Sequence, residues 1–238
     1  MSAVVAAAIP AFDAAATVGE VVRRALAQVS EVVVVDDGSA DGTGAAARAA
    51  GARVLTHPVN RGKWAALATA FADLFAWAEG NGSAPAAAAP LAAVVTLDAD
   101  GQHLPEETPR LLEAWRAGAD LVIGSREALF GEMSVLRRLS NRASSRAISL
   151  LAGRRLADVQ SGFRLYTPAV LAATGFGEPR FEAESAVVVR AVRRGFRVVA
   201  VPVRLGYADG RPTSHYRPVA DSLRIAGAVM RARFEGVW

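Results

Sequence analysis

Four consecutive valines, Val32 to Val35, run straight into Asp36-Asp37-Gly38-Ser39, and this stretch constrains the fold more than any other. Side chains along a strand alternate between its two faces, so an unbroken apolar run must be buried on both sides. Short Val/Ala-rich runs recur at 4–9, 32–35, 53–55, 92–97 and 121–123. Helical patterns alternate with them at 17–27, 42–50, 63–78 and 106–117. This βαβ rhythm predicts an α/β fold with a doubly wound, mostly parallel sheet, whose ligands gather at the carboxyl ends of the strands.

After Gly124 the rhythm changes. A basic helical stretch at 136–151 precedes a polar turn at 158–164, then come a helix at 182–194, a strand at 197–203 and a tail helix at 219–234. No repeat and no long linker divides the 238 residues, so a single domain is expected. The alternation holds over residues 1–124, and residues 125–238 make the second half. The stretch 83–93 carries Pro85 and Pro90 and reads as a surface loop leading into a strand.

Apolar residues make up 52% of the chain but aromatics only 7%, so alanine and valine must fill the core. With no cysteine, disulfides and thiolate metal sites are excluded, which suits a reducing compartment. Residues 1–10 lack a basic leader and read as a first strand rather than a signal peptide. No window reaches the roughly 20 apolar residues of a membrane span. The expected location is cytoplasmic, either free or peripheral on the inner face of the membrane. The net charge of +4 favours an anionic partner. Of the 27 basic residues Lys63 is the single lysine, so its retention in an arginine-rich chain marks it for attention.

The strongest chemical signal is Thr96-Leu97-Asp98-Ala99-Asp100-Gly101-Gln102-His103, a hydrophobic strand opening directly onto two carboxylates. In an extended segment residues i and i+2 point the same way, so Asp98 and Asp100 are expected to converge. Converging carboxylates repel unless a cation lies between them. Mg²⁺ or Mn²⁺ suits such a site, taking few protein oxygens and the rest from water and phosphates. Gln102 and His103 extend the candidate shell. Taken alone, the same tripeptide also fits a solvated turn capping the next helix. The second signal is the cluster after the valines. Asp36 and Asp37 suit hydrogen bonding to a base or ribose, whereas Asp41 and Thr43 suit the cap of the following helix. No G-x-G-x-x-G follows the first strand, which disfavours a nicotinamide or flavin dinucleotide.

In order and spacing, Ile9-Pro10-Ala11-Phe12, VVVVDDGSADGT, Asn60-Arg61-Gly62-Lys63 and TLDADGQH resemble a family-2 glycosyltransferase of the GT-A fold. Gly124-Ser125-Arg126, RRLSNRASSRAISLLAGRRLADVQSGFRLY and RFEAESAVVVRAVRRGFRVVAVPV resemble the dolichol- and polyprenyl-phosphate mannosyl- or glucosyltransferases within it. The resemblance implies that Pro10 and Phe12 line the nucleotide pocket and that Asp36 and Asp37 hold base or ribose. It implies Asp98, Asp100 and Gln102 at the metal and diphosphate, with Lys63 a cation near the donor. Arg126, Arg137 and Arg142 fall where the family gathers cations around phosphates. Asp158 to Arg164 form the turn beside the site, with Asp158 either a base or a lock on that turn. Arg211, Ser214 and His215 lie in a loop that in relatives closes over the donor. Glu182 and Glu184, two apart on a helix, do not face each other and make no second metal site.

The sequence departs from the family pattern where Pro10-Ala11-Phe12-Asp13-Ala14 replaces Pro-x-Tyr-Asn-Glu, where Asn141 replaces serine, and where SHYRP replaces Ser-Lys. The nucleotide base therefore stays open. The expected reaction is inverting, metal-dependent hexose transfer from a GDP- or UDP-linked donor, with a polyprenyl or dolichyl phosphate at a membrane surface as acceptor. A hydroxyl acceptor in envelope or polysaccharide synthesis stays open, as does a non-catalytic nucleotide-sugar-binding module. No nucleic-acid partner is expected.

Overall fold

The computed structural model of the protein describes residues 4–80, 90–126, 149, 153, 156–175 and 182–206. Among the described residues seven strands form one sheet: β1 (Val4–Ala11), β2 (Glu31–Asp36), β3 (Arg53–Thr56), β4 (Leu91–Thr96), β5 (Leu121–Ser125), β6 (Arg164–Tyr166) and β7 (Val198–Pro202). Their order is β3-β2-β1-β4-β6-β5-β7. The helices are α1 (Val18–Leu26), α2 (Thr43–Ala49), α3 (Lys63–Ala78), α4 (Thr108–Arg116), α5 (Pro168–Thr174) and α6 (Glu182–Arg193).

Alternation along the strands divides the core in two. Ala6, Ala8, Val33, Val35, Val94, Leu121 and Ile123 face α3, α5 and α6. Ala7, Ile9, Val32, Val34, Val95, Val122 and Leu165 face α1, α2 and α4. Small strand residues let α3 approach closely with its bulky face of Trp64, Leu67, Phe71 and Leu74. Phe71 lies edge-on to both Trp64 and Tyr166, at ring separations of 6.2 and 5.8 Å.

Three features differ from the sequence reading. The segment expected as a polar turn through residue 164 passes into β6, which runs antiparallel between β4 and β5. Three residues are too few for a periodicity to appear in sequence. The stretch expected as one helix at 106–117 opens with a 3₁₀ turn at Pro105–Glu107 before α4. The α5 helix, unanticipated, is opened by Thr167, whose hydroxyl accepts the Val170 amide. The helix expected at 136–151, apart from Ser149, and the tail helix at 219–234 lie outside the described residues, as does most of the 83–93 loop. Among the described residues no helix is long and apolar enough to cross a membrane.

Candidate active site

Three loops meet at the carboxyl ends of β1, β2 and β3. The Asp13 amide donates to Ser39 Oγ (3.0 Å), and the Ala40 amide returns a bond to Asp13 Oδ1 (3.0 Å). Gly38, at φ 79°, presses so close to the third loop that a Cβ there would lie 2.6 Å from the Asn60 amide nitrogen. Pro10 is half-buried at the end of β1, and Phe12 beyond it is 45% exposed at the rim.

The acids after β2 build these loops. Asp36 accepts the Ser39 amide on Oδ1 (3.0 Å) and the Gly44 amide on Oδ2 (3.1 Å), the latter a free N–H of the first turn of α2. Asp41 accepts the Thr43 amide, whereas the Thr43 hydroxyl accepts the Ala14 amide. The capping expected of Asp41 and Thr43 is thus shared between Asp36 and Asp41. Asp37, buried, accepts the Arg61 amide on Oδ1 (3.0 Å) and the Gly62 amide on Oδ2 (2.8 Å). His57 Nδ1 lies 2.6 Å from the same Oδ1. Asp37 thereby shapes the turn from which α3 starts, and the first residue of α3 is Lys63.

Lys63 reaches from α3 to the end of β4. Its Nζ lies 2.6 Å from Asp98 Oδ1 and 3.4 Å from Glu184 Oε1. The anticipated extended Asp-x-Asp geometry does not occur: β4 ends at Thr96 and the chain turns at 99–101. Asp98 therefore meets Lys63, while Asp100 Oδ1 accepts the Gln102 amide (2.9 Å). Burial opposes ionisation of Asp98, but the Lys63 ammonium beside it holds the carboxyl well below the usual carboxylate range. Burial likewise opposes the charge on Lys63, yet Asp98 and Glu184 outweigh it and raise the ammonium above an ordinary lysine.

The turn before β6 closes this cluster. Thr96 Oγ1 donates to the Gly162 carbonyl (2.7 Å), holding Gly162 against the two charges. A Cβ on Gly162 would overlap Lys63 Nζ and lie 3.2 and 3.3 Å from the Asp98 oxygens, so only glycine leaves that space open. His103 stacks on Phe163 with ring centroids 5.6 Å apart, and its Nδ1 accepts the Asp98 amide (3.2 Å). Burial pushes this histidine below its ordinary pKa.

Arg126 follows β5, with its side chain 12% exposed. Its amide and Nε donate to Asp158 Oδ2, both at 2.8 Å, and its Nη2 donates to Oδ1 at 2.9 Å. Asp158 has no exposed surface and takes a left-handed φ of 43°. Both its carboxylate oxygens are thus engaged by Arg126. Arg164, expected as part of that turn, is instead an interior hub, donating to the carbonyls of Val159, Ser161 and Glu184. Arg137, Arg142, Arg211 and Ser214 lie outside the described residues, as do Asn141 and His215.

The Glycosyl transferase family 2 model matches residues 6–174. The chain belongs to that family. This family-2 glycosyltransferase is 36% identical over 186 residues to the undecaprenyl-phosphate mannosyltransferase of Micrococcus luteus, covering 73% of this chain and 71% of the relative. It is 35% identical over 194 residues to the polyprenol monophosphomannose synthase of Mycolicibacterium smegmatis, covering 76% and 68%. The fold is similar to that of glucosyl-3-phosphoglycerate synthase from Mycobacterium tuberculosis in complex with uridine diphosphate. The TM-score is 0.67 at 22% identity, over 98% of this chain and 79% of the other. The same enzyme with Mn²⁺, uridine diphosphate and its glucosylated product gives a TM-score of 0.64 at 22% identity, over the same shares of the two chains. The GT-A architecture expected from the sequence is what these comparisons and the sheet show together.

The donor set of the glycosyltransferase fits a hard divalent ion. Asp98 and Asp100 offer oxygen, and the missing Cβ of Gly162 leaves room beside Asp98 that Lys63 Nζ borders. Among the described residues no three His, Cys, Asp or Glu side chains cluster as a complete metal cage. An ion at Asp98 must therefore draw most of its ligands from water and phosphate oxygens, as Mg²⁺ and Mn²⁺ do.

Sequence reasoning missed Glu184. Glu184, Val187, Val188 and Ala191 are all buried and spaced i, i+3, i+4, i+7. That stripe puts Glu184 on the inner face of α6, and the spacing was readable.

Proposed function

We propose that this glycosyltransferase moves a hexose, with inversion, from a GDP- or UDP-linked donor onto a polyprenyl phosphate, using Mg²⁺ or Mn²⁺. The observation that carries the reading is the Lys63–Asp98 pair at the carboxyl end of β4, set against Gly162. Mannose is the first sugar to test, because both relatives above are named for mannose transfer.

Pro10 and Phe12 would line the base, with Phe12 offering an exposed aromatic face. Asp37 Oδ2, which takes one hydrogen bond from the Gly62 amide, keeps a lone pair for ribose or base. Asp36 is committed to its loop and would act by shaping it. Asp98 and Asp100, with Gln102 beside them, would hold the divalent ion, which stabilises negative charge on the departing nucleoside diphosphate. Lys63 adds a positive charge at the same oxygens. Arg126, Arg137, Arg142, Arg211 and Ser214 would bind phosphate oxygens of donor or acceptor.

The enclosure of Asp158 favours a phosphate acceptor over a hydroxyl one. A hydroxyl needs a base within reach of its proton. Asp158 has no exposed surface, and both its oxygens are engaged by Arg126. A phosphate arrives ionised and asks only for cations. A lipid phosphate also implies work at a membrane surface, on the cytoplasmic side where nucleotide sugars are made.

Thermal-shift screening of GDP- and UDP-sugars with Mn²⁺ or Mg²⁺ is the first test, followed by supplying polyprenyl phosphate with the stabilising donor. Metal-dependent stabilisation and a glycosylated lipid are expected. Turnover of a soluble hydroxyl acceptor with none of the lipid phosphate would sink the acceptor assignment.

A further inference from the structure

Glu184 carries a buried oxygen that, among the described residues, accepts no hydrogen bond. The side chain is 6% exposed, and the unmet atom is Oε1. Buried carboxylate oxygens are rarely left so, since each unmet acceptor is costly. Lys63 Nζ lies 3.4 Å from it, and that ammonium is drawn instead to Asp98 Oδ1 at 2.6 Å. Glu184 Oε2 lies 3.8 Å from Arg164 Nη2, whose hydrogen bond goes to the Val159 carbonyl.

We infer that Glu184 is a second seat for the Lys63 ammonium, which holds Asp98 in the metal-free enzyme and transfers its hydrogen bond to Glu184 Oε1 when a divalent cation takes the Asp98 carboxylate. This rests on the proposed metal site at Asp98. Lys63 Nζ and a divalent ion compete for one carboxylate, and like charges cannot share it closely. Without Glu184, displacing the lysine would strand an ammonium in a largely buried place. With Glu184, the move is short, from 3.4 Å to an ordinary hydrogen-bond length of about 2.9 Å. Gly162 lies against the ammonium on another side, where a Cβ would meet Nζ. Glu184 is on this account a positioning residue: it decides where Lys63 rests and how readily Asp98 is released.

Lys63 is the chain's single lysine, so ¹⁵Nζ-lysine labelling gives one ammonium resonance from the intact protein. Adding Mg²⁺ alone should shift that resonance while leaving it in slow solvent exchange. In parallel, electron paramagnetic resonance of free Mn²⁺ measures metal affinity. Lys63→Met should tighten Mn²⁺ binding by roughly fivefold or more, a coupling of ordinary size between two sites. Glu184→Gln should weaken it by a similar factor in the wild-type background and leave it unchanged in the Lys63→Met background. If Glu184→Gln weakens Mn²⁺ equally in both backgrounds, Glu184 acts by its charge alone and the exchange is wrong. An unmoved ¹⁵N resonance despite Mg²⁺ binding overturns it without any variant. Absence of Mn²⁺ binding to both the wild type and Lys63→Met removes the metal site itself, and this inference with it.

Discussion

Arg126 gives Asp158 three hydrogen bonds, one from its own backbone amide and two from its guanidinium, all between 2.8 and 2.9 Å. A single buried carboxylate thus fixes both the exit of β5 and the direction of the arginine that leaves it. The charge on Asp158 matches the charge on Arg126, so neither is isolated in the interior.

Asp158→Asn should therefore act through position rather than proton transfer. Leaving Arg126 without its counter-charge is expected to lower stability by about 3 kcal/mol, read as a reduced urea midpoint at unchanged slope. Turnover should fall with it, while the shape of the kcat–pH profile stays the same. Loss of an acidic limb from that profile in the variant would instead identify Asp158 as a base.

Gly162→Ala tests the space beside Asp98. The added methyl would meet Lys63 Nζ and both Asp98 oxygens. Gly162 has no left-handed φ to lose, so the fold should survive with a modestly lower melting temperature. Affinity for Mn²⁺ with nucleoside diphosphate should drop by about 10–100-fold, the range for residues that support a metal ligand. Calorimetric titration decides it.

Asp98→Asn and Asp100→Asn should differ. Asp98→Asn removes the counter-charge of Lys63 as well as a metal oxygen, so it should cost both thermal stability and, by on the order of 100-fold or more, turnover. Asp100, whose Oδ1 organises the Gln102 amide, should lose turnover with little change in melting temperature. Paired melting and rate measurements separate the two.

His103 links stability to pH. Burial lowers its pKa below the ordinary value, so between the folded and unfolded pKa values the unfolded chain binds more protons. Stability contributed by the neutral ring is present above the unfolded value of about 6.5 and is lost as pH falls below it. The melting temperature should decline more steeply from pH 7 to pH 5 in the wild type than in His103→Asn, whose side-chain oxygen can still accept the Asp98 amide. Parallel curves would remove His103 as the cause.

Much of this was legible in the chain. The valine run and its alternating neighbours fixed the parallel half of the sheet, and α3 falls on the predicted Lys63–Ala78. The prominence of Lys63 was readable because one lysine survived among arginines. The spacing of Asp98 and Asp100 suggested an extended segment, where the chain in fact turns. Asp36 and Asp37 looked like ligand-binding acids, yet most of their hydrogen bonds go to their own loops. Local backbone amides compete for carboxylates as strongly as a ligand does, and spacing alone does not show which wins.

Patterns that depend on period, such as strands buried on both faces, helices with one apolar stripe and acids at strand ends, are written in the order of residues, because each follows from local geometry. Encounters between distant segments are not. Lys63, Asp98, Gly162 and Glu184 span more than a hundred residues of sequence, and they meet because the three-residue β6 inserts between β4 and β5 while α3 and α6 share one face of the sheet. Which charge finds which partner is settled by that packing, since Coulomb attraction and burial depend on separation in space and not along the chain.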